Sequence, residues 1–218
     1  MENHKKQFWK VINEINDNDI NYVIIRGFCR LPDSGDNDID MVPHYSNFEK
    51  NIEIIKKHLD CHWEREYGFA EYAFMRNHSY KTKGPDNHQI AEKRFYIDSQ
   101  SSLFFLSPFK NYTTSWVVPH AFNEYVYETK IKKHFDEGFI WIPSIENEIT
   151  LQILRNVLDK QGHWKPKSCK RVFDLLPQID EKELIKSVSM VLPGAKRVVS
   201  SLKSGDFNSV NKYSLGGL

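Results

Sequence analysis

Apolar side chains recur at helical spacing from the first residues of the chain. Phe8, Val11, Ile12 and Ile15 fall on one face and predict a helix over residues 4–17. Asn16-Asp-Asn-Asp19 ends it, because short polar side chains compete for backbone hydrogen bonds. Tyr22-Val-Ile-Ile25 is a β-branched run that suits a buried strand. Gly27 and the turn-rich Leu31-Pro-Asp-Ser-Gly35 follow, and Asp38-Ile-Asp-Met-Val42 alternates like a strand with one polar face. Ser46 with Glu49 reads as a capping box ahead of Phe48, Ile52, Ile55 and Leu59, which predicts a helix running to Leu59. Residues 63–78 and 89–106 are aromatic-rich and loosely alternating, as strands would be, around an exposed loop over 81–88. Residues 107–143 show no clean period and receive no assignment.

From Pro143-Ser144 onward the pattern is helical. Ile149, Ile153, Leu154, Val157 and Leu158 mark one helix, ended by Gly162, and Val172, Leu175 and Leu176 mark a second, stopped before Pro177. Asp180 and Glu183 cap a third carrying Leu184, Val188 and Val191. Ala195, Val198, Val199 and Leu202 mark a fourth, with Gly205 at its end. The expected class is therefore α+β: a mixed β-sheet flanked by helices over 1–143, followed by a helical domain over 144–218.

Composition narrows the partners. With 218 residues, 40% of them hydrophobic, the chain can bury a core and is not globally disordered. Thirty basic residues face 29 acidic ones, so neither a strongly basic nucleic-acid binder nor an acidic solvating protein is expected. Residues 144–218 hold 12 of the bases and 8 of the acids, leaving 18 against 21 in the mixed part. A basic helical part thus follows an acidic mixed one. Cys29, Cys61 and Cys169 are far apart in sequence and form no C-x-x-C, which suits a reducing compartment. No apolar segment follows the charged N-terminus and none is long enough to span a membrane, so a cytoplasmic location is expected, with the sequons at Asn77 and Asn111 unused.

The strongest chemical signal is Arg26-Gly-Phe-Cys-Arg-Leu-Pro-Asp-Ser-Gly-Asp-Asn-Asp-Ile-Asp40. Residues i and i+2 of a strand share a face, so Asp38 and Asp40 converge on one patch. Two close carboxylates repel, and a divalent cation with a taste for hard oxygen ligands, such as Mg²⁺, resolves the conflict. Asp98, a lone acid in the apolar Arg94-Phe-Tyr-Ile-Asp-Ser-Gln100, is the best third ligand. Three such acids could hold two ions roughly 3.5–4 Å apart for in-line phosphoryl chemistry.

In this order, strand, glycine turn, D-x-D strand and later acid, the chain resembles the nucleotidyltransferase superfamily of polymerase β-like fold, over about residues 4–105. Within it, the likeness is to small bacterial members acting on small molecules or glycans. The resemblance implies a catalytic domain over 1–143 and an accessory helical domain over 144–218. It also implies Asp38, Asp40 and Asp98 as catalytic and metal residues, two Mg²⁺ ions, a nucleoside triphosphate donor such as ATP whose base is unspecified, and a small-molecule or glycan acceptor. The usual Gly-Ser of the turn is here Arg26-Gly27, followed by Phe28. Arg26, Gly27 and Arg30 are therefore the expected nucleotide-binding residues, guanidinium standing in for serine at phosphate. Arg155, Lys160, Lys165 and Lys167 could add phosphate contacts or form a solvated helix face.

Other constellations point elsewhere. His58 and His62 have zinc-ligand spacing beside Cys61, but they fall at a helix end without the glutamate of H-E-x-x-H, and the helix dipole explains His58 as well. Trp141 and Trp164 could stack on a base, though core packing suits them better. No P-loop, dinucleotide fingerprint or nucleophile elbow occurs. The competing readings are a phosphotransferase of the phosphocholine-transferring type, a non-catalytic nucleotide-binding module, and a tRNA-directed toxin, the last disfavoured by the near-neutral charge.

Overall fold

The computed structural model describes residues 2–28, 31, 38–69, 73–82, 96–101, 103–106 and 115–215. The chain divides into two compact units, one of Met1–Leu103 with Lys130–Ile142, the other of Phe104–Thr129 with Pro143–Leu218. The second unit resumes at Pro143, one residue before the expected cut at 143/144, and it also takes in residues 104–129.

The first unit is a mixed sheet with helices. Helix α1 (Glu2–Asp17) leads into β1 (Tyr22–Arg26) and β2 (Asp38–Pro43). Helix α2 (Phe48–His58) is followed by β3 (Leu59–Phe69), β4 (Ala73–Thr82) and β5 (Tyr96–Gln100). The strand order is β1-β2-β5-β4-β3. Within this sheet, as described, β2 and β5 pair parallel and the other pairs are antiparallel. The α+β class expected from sequence is the class observed. Of the expected 81–88 loop, Lys81 and Thr82 belong to β4 and the rest lies outside the described residues.

The stripe of α1 is what the sheet is built against. Phe8, Val11, Ile12 and Ile15 are fully buried in one core with Tyr22 and Ile24 of β1, Ile39 and Met41 of β2, Ile97 of β5, and Ile52 and Ile55 of α2. Burying each such side chain stabilises by about 1.5–3 kcal/mol before its entropy is counted. A hairpin, β8 (Ile131–Phe135) and β9 (Gly138–Ile142), completes this unit, with Ile140 fully buried in the same core. A Cβ on Gly138 would sit 2.6 Å from Asn13 Oδ1 of α1, so any larger residue would displace the Asn13 side chain. Asn13 Nδ2 and Asn16 Nδ2 donate to the carbonyls of Glu137 and Phe139, at 3.2 and 3.0 Å. This hairpin occupies the last third of the stretch that carried no assignment.

The start of α2 departs from expectation. Residues Tyr45–Asn47 form a 3₁₀ turn, and Ser46 sits inside it rather than capping α2. Its backbone N–H donates to His44 Nδ1 at 3.4 Å and its hydroxyl lies 2.6 Å from the same nitrogen. The hydroxyl is thus engaged backwards, and α2 opens from Asn47 without a side-chain cap. Glu49 still stands in the first turn, where the helix dipole favours it.

The second unit holds the short strands β6 (Phe104–Leu106) and β7 (Ser115–Val117) and helix α3 (His120–Glu128). Then come α4 (Ile145–Leu154), continued by a π-helical turn Arg155–Asp159, α5 (Pro166–Leu175), α6 (Glu181–Ser189), α7 (Ala195–Ser204) and α8 (Phe207–Leu215). Asp180 caps α6 as expected, accepting from the N–H groups of Lys182 and Glu183 at 2.8 and 3.4 Å. Arg171 holds the buried Glu148 through Nε and Nη2, at 2.6 and 2.7 Å. Trp164 donates to Asn211 Oδ1 at 2.9 Å with its ring 4.5 Å from that of Phe207, a packing role within the unit. Among the described residues no helix is long and apolar enough to cross a membrane.

If the α1 stripe anchors the first unit, Ile12→Ala leaves a cavity under the sheet. Its urea-unfolding free energy should fall by about 2–5 kcal/mol with an unchanged denaturant slope.

Candidate active site

The site is a matter of register. Along β1 and β2, Val23 pairs with Val42 and Ile24 with Met41, after which Arg26, not Ile25, pairs with Asp40. Ile25 is the extra residue of a β-bulge. A one-residue slip exchanges the two faces of a strand, so the bulge carries Arg26 away from the core face of Ile24 and onto the face of Asp40. On the other side of β2, Asp40 pairs with Asp98 of β5 in parallel register. Partners across adjacent strands, about 4.8 Å apart, present their side chains to the same face. Three neighbouring strands thus line up Arg26, Asp40 and Asp98.

Asp40 is buried, and Arg26 Nε forms an ion pair with its Oδ2. Asp98 is half-buried between the fully buried Ile97 and Ser99. Asp38 begins β2 opposite Tyr96, and its side chain lies outside the described residues, as does the whole of Arg30. Gly27 follows Arg26 with a φ of 86°, a left-handed conformation that side chains resist, and turns the chain sharply out of β1. Among the described residues no three His, Cys, Asp or Glu side chains form a metal-sized group. Of the other suggested ligand pair, His58 Nε2 lies 2.6 Å from Glu14 Oε2, and the side chain of His62 is outside the described residues.

Residues that the sequence reading passed over support this row. Asn51 Nδ2 of α2 donates to Ser99 Oγ at 3.1 Å, both buried, tying the helix to the strand beside Asp98. The signal was present: Asn51 stands at a position of the stripe otherwise filled by Phe48, Ile52 and Ile55. The β8–β9 hairpin grips both ends of β1. Lys133 Nζ donates to the carbonyl of Phe28, just past Gly27, at 2.9 Å. Lys130 Nζ donates to Asn21 Oδ1 and to the carbonyl of Tyr22, with the Trp141 ring 4.5 Å away. Trp141 therefore serves as a floor for lysine. Burial pushes the Lys130 ammonium down to about 8.

No family model matches the chain, and no curated protein does. Among solved structures, similarity is at low identity. An antigenic nucleotidyltransferase-like protein from Paracoccidioides brasiliensis is 13% identical, with 97% of this chain and 88% of that one covered and a TM-score of 0.44. JHP933 from Helicobacter pylori is 10% identical, with 99% and 94% covered and a TM-score of 0.34. Below a TM-score of 0.5 such likenesses do not by themselves assign a fold or a function.

The half-buried Lys130 makes a pH prediction. Its folded value lies below its ordinary 10.5, so between about 8 and 10.5 the unfolded chain holds a proton that the folded chain releases. This group's contribution to stability therefore rises with pH through that window, and its penalty is complete below it. Urea midpoints at about pH 7.5 and about pH 10 should show that rise in wild type relative to Lys130→Met, in which it is absent.

Proposed function

We propose that the chain is a metal-dependent nucleotidyltransferase, transferring a nucleoside monophosphate from a triphosphate to a hydroxyl of a small-molecule or glycan acceptor. The observation that carries the reading is the register row Arg26–Asp40–Asp98, with the glycine turn at its edge. A buried carboxylate needs a cation, and Asp40 holds one already in the form of Arg26. The donor set suits Mg²⁺: Asp40 and Asp98 are hard oxygen ligands on adjacent strands, and Asp38 is the third. Mg²⁺ held there would neutralise the triphosphate and polarise its α-phosphate.

The chain's own groups do the rest. Gly27 lets phosphate approach the backbone, and Arg26 and Arg30 bind the triphosphate oxygens. Asp98, the more exposed of the two described acids, takes the proton of the acceptor hydroxyl. The acceptor oxygen bonds to the α-phosphorus as the bond to the β-phosphate oxygen breaks, and pyrophosphate leaves. Asn51 and Lys133 fix the strand and the turn on which these groups ride.

Calorimetric titration with ATP, GTP, CTP and UTP tests the reading. Binding should require Mg²⁺ and fall by about a hundredfold or more in Asp40→Asn and in Asp98→Asn. Equal binding in wild type and both variants contradicts it. A pyrophosphate-release screen against sugars, sugar phosphates and tRNA then identifies the acceptor class.

A further inference from the structure

A bulge that moves one arginine onto a buried carboxylate suggests more than a counter-charge. Arg26 reaches Asp40 through Nε, and its side chain is 35% exposed against 3% for Asp40. The carboxylate is enclosed while the guanidinium spans the site and its outside. Arginine stays charged at any accessible pH, so Arg26 cannot leave Asp40 by losing a proton. A cation arriving at Asp40 can release it by taking over the neutralising charge. The next residue, Gly27, is the turn through which a phosphate would approach.

We propose that Arg26 is a cation-operated latch: it neutralises Asp40 in the empty site, a divalent cation arriving at Asp40 displaces it, and the freed guanidinium then binds the triphosphate. This rests on the nucleotidyltransferase reading and adds regulation to the same site. Metal alone must compete with Arg26 and binds weakly. Metal and nucleotide together satisfy both Asp40 and Arg26, so each strengthens the other's binding by the same factor. The empty site keeps its buried carboxylate compensated while it waits.

The test uses Mn²⁺ and ATP as probes on the full chain, read by calorimetry and by melting temperature. In EDTA, Arg26→Met should melt below wild type, because it takes the arginine's charge away from buried Asp40. Mn²⁺ alone should bind this variant about tenfold or more tighter than wild type and raise its melting temperature further. The factor by which ATP and Mn²⁺ strengthen each other should shrink toward one. Arg26→Lys should keep the competition with Mn²⁺ but bind ATP more weakly, lacking the planar fork. Where Arg26→Met does not fold without metal, Arg26→Gln carries the same comparison. The latch is overturned if Mn²⁺ binds Arg26→Met no tighter than wild type while Asp40→Asn abolishes Mn²⁺ binding, which would leave Arg26 a plain structural counter-ion. If Asp40→Asn leaves Mn²⁺ and ATP binding untouched, the nucleotidyltransferase reading fails and the latch with it.

Discussion

A carboxylate buried in a sheet demands a positive charge beside it, and the first unit is arranged around meeting that demand at Asp40. Asp40 lies on β2, between β1 and β5, and is buried away from water. Its answer is Arg26, and Arg26 is in place only because β1 carries one extra residue. Without the bulge, regular pairing would set Ile25 opposite Asp40 and turn Arg26 toward the core face, where its charge would have no partner. The two lysines of the β8–β9 hairpin then hold β1 at both ends, so the bulged register has little freedom to slip. Glycine at 138 leaves the Asn13 side chain of α1 in place beside that hairpin. Packing and chemistry are thus joined at a single strand.

Much of this was legible in the sequence, for physical reasons that differ from place to place. The α1 stripe and the short β1 run declare themselves because burial imposes their periods directly. Asp38-x-Asp40 on a strand and Asp98 on another were also readable, since an acid inside an apolar run calls for an explanation. The bulge was not readable. Nothing local separates Ile24-Ile25-Arg26 in regular pairing from the same residues with one of them extra; the partner strand decides. The hairpin at 131–142 escaped because its lysines cover its aromatic rings, which blurs the alternation: Lys132 lies 4.4 Å from the Phe139 ring centroid and 5.0 Å from that of Trp141. The capping box at Ser46 failed for a local reason, the competing pull of His44 on the same serine.

The second unit uses polar groups in a different way. Asn147, Thr150 and Ser187, all buried, are linked by bonds of 2.7 Å between Ser187 Oγ and both Asn147 Oδ1 and Thr150 Oγ1. Asn147 Nδ2 also donates to Thr129 Oγ1 at 2.7 Å. Together with the Arg171–Glu148 fork, these bonds satisfy their partners inside the unit. What sets the row Arg26–Asp40–Asp98 apart is its place: a buried acid stands beside a second acid on the neighbouring strand, next to a glycine turn.

The central claim is that a divalent cation belongs between the neighbouring acids of β2 and β5. Mn²⁺ titrated into ¹⁵N-labelled protein tests it most directly, because a paramagnetic ion broadens the amides nearest to it. The account predicts broadening centred on Asp40 and Asp98 at low Mn²⁺, extending to Arg26 and Gly27 and fading along β3. Broadening centred elsewhere, or spread evenly over surface carboxylates with Asp40 and Asp98 spared, would contradict it.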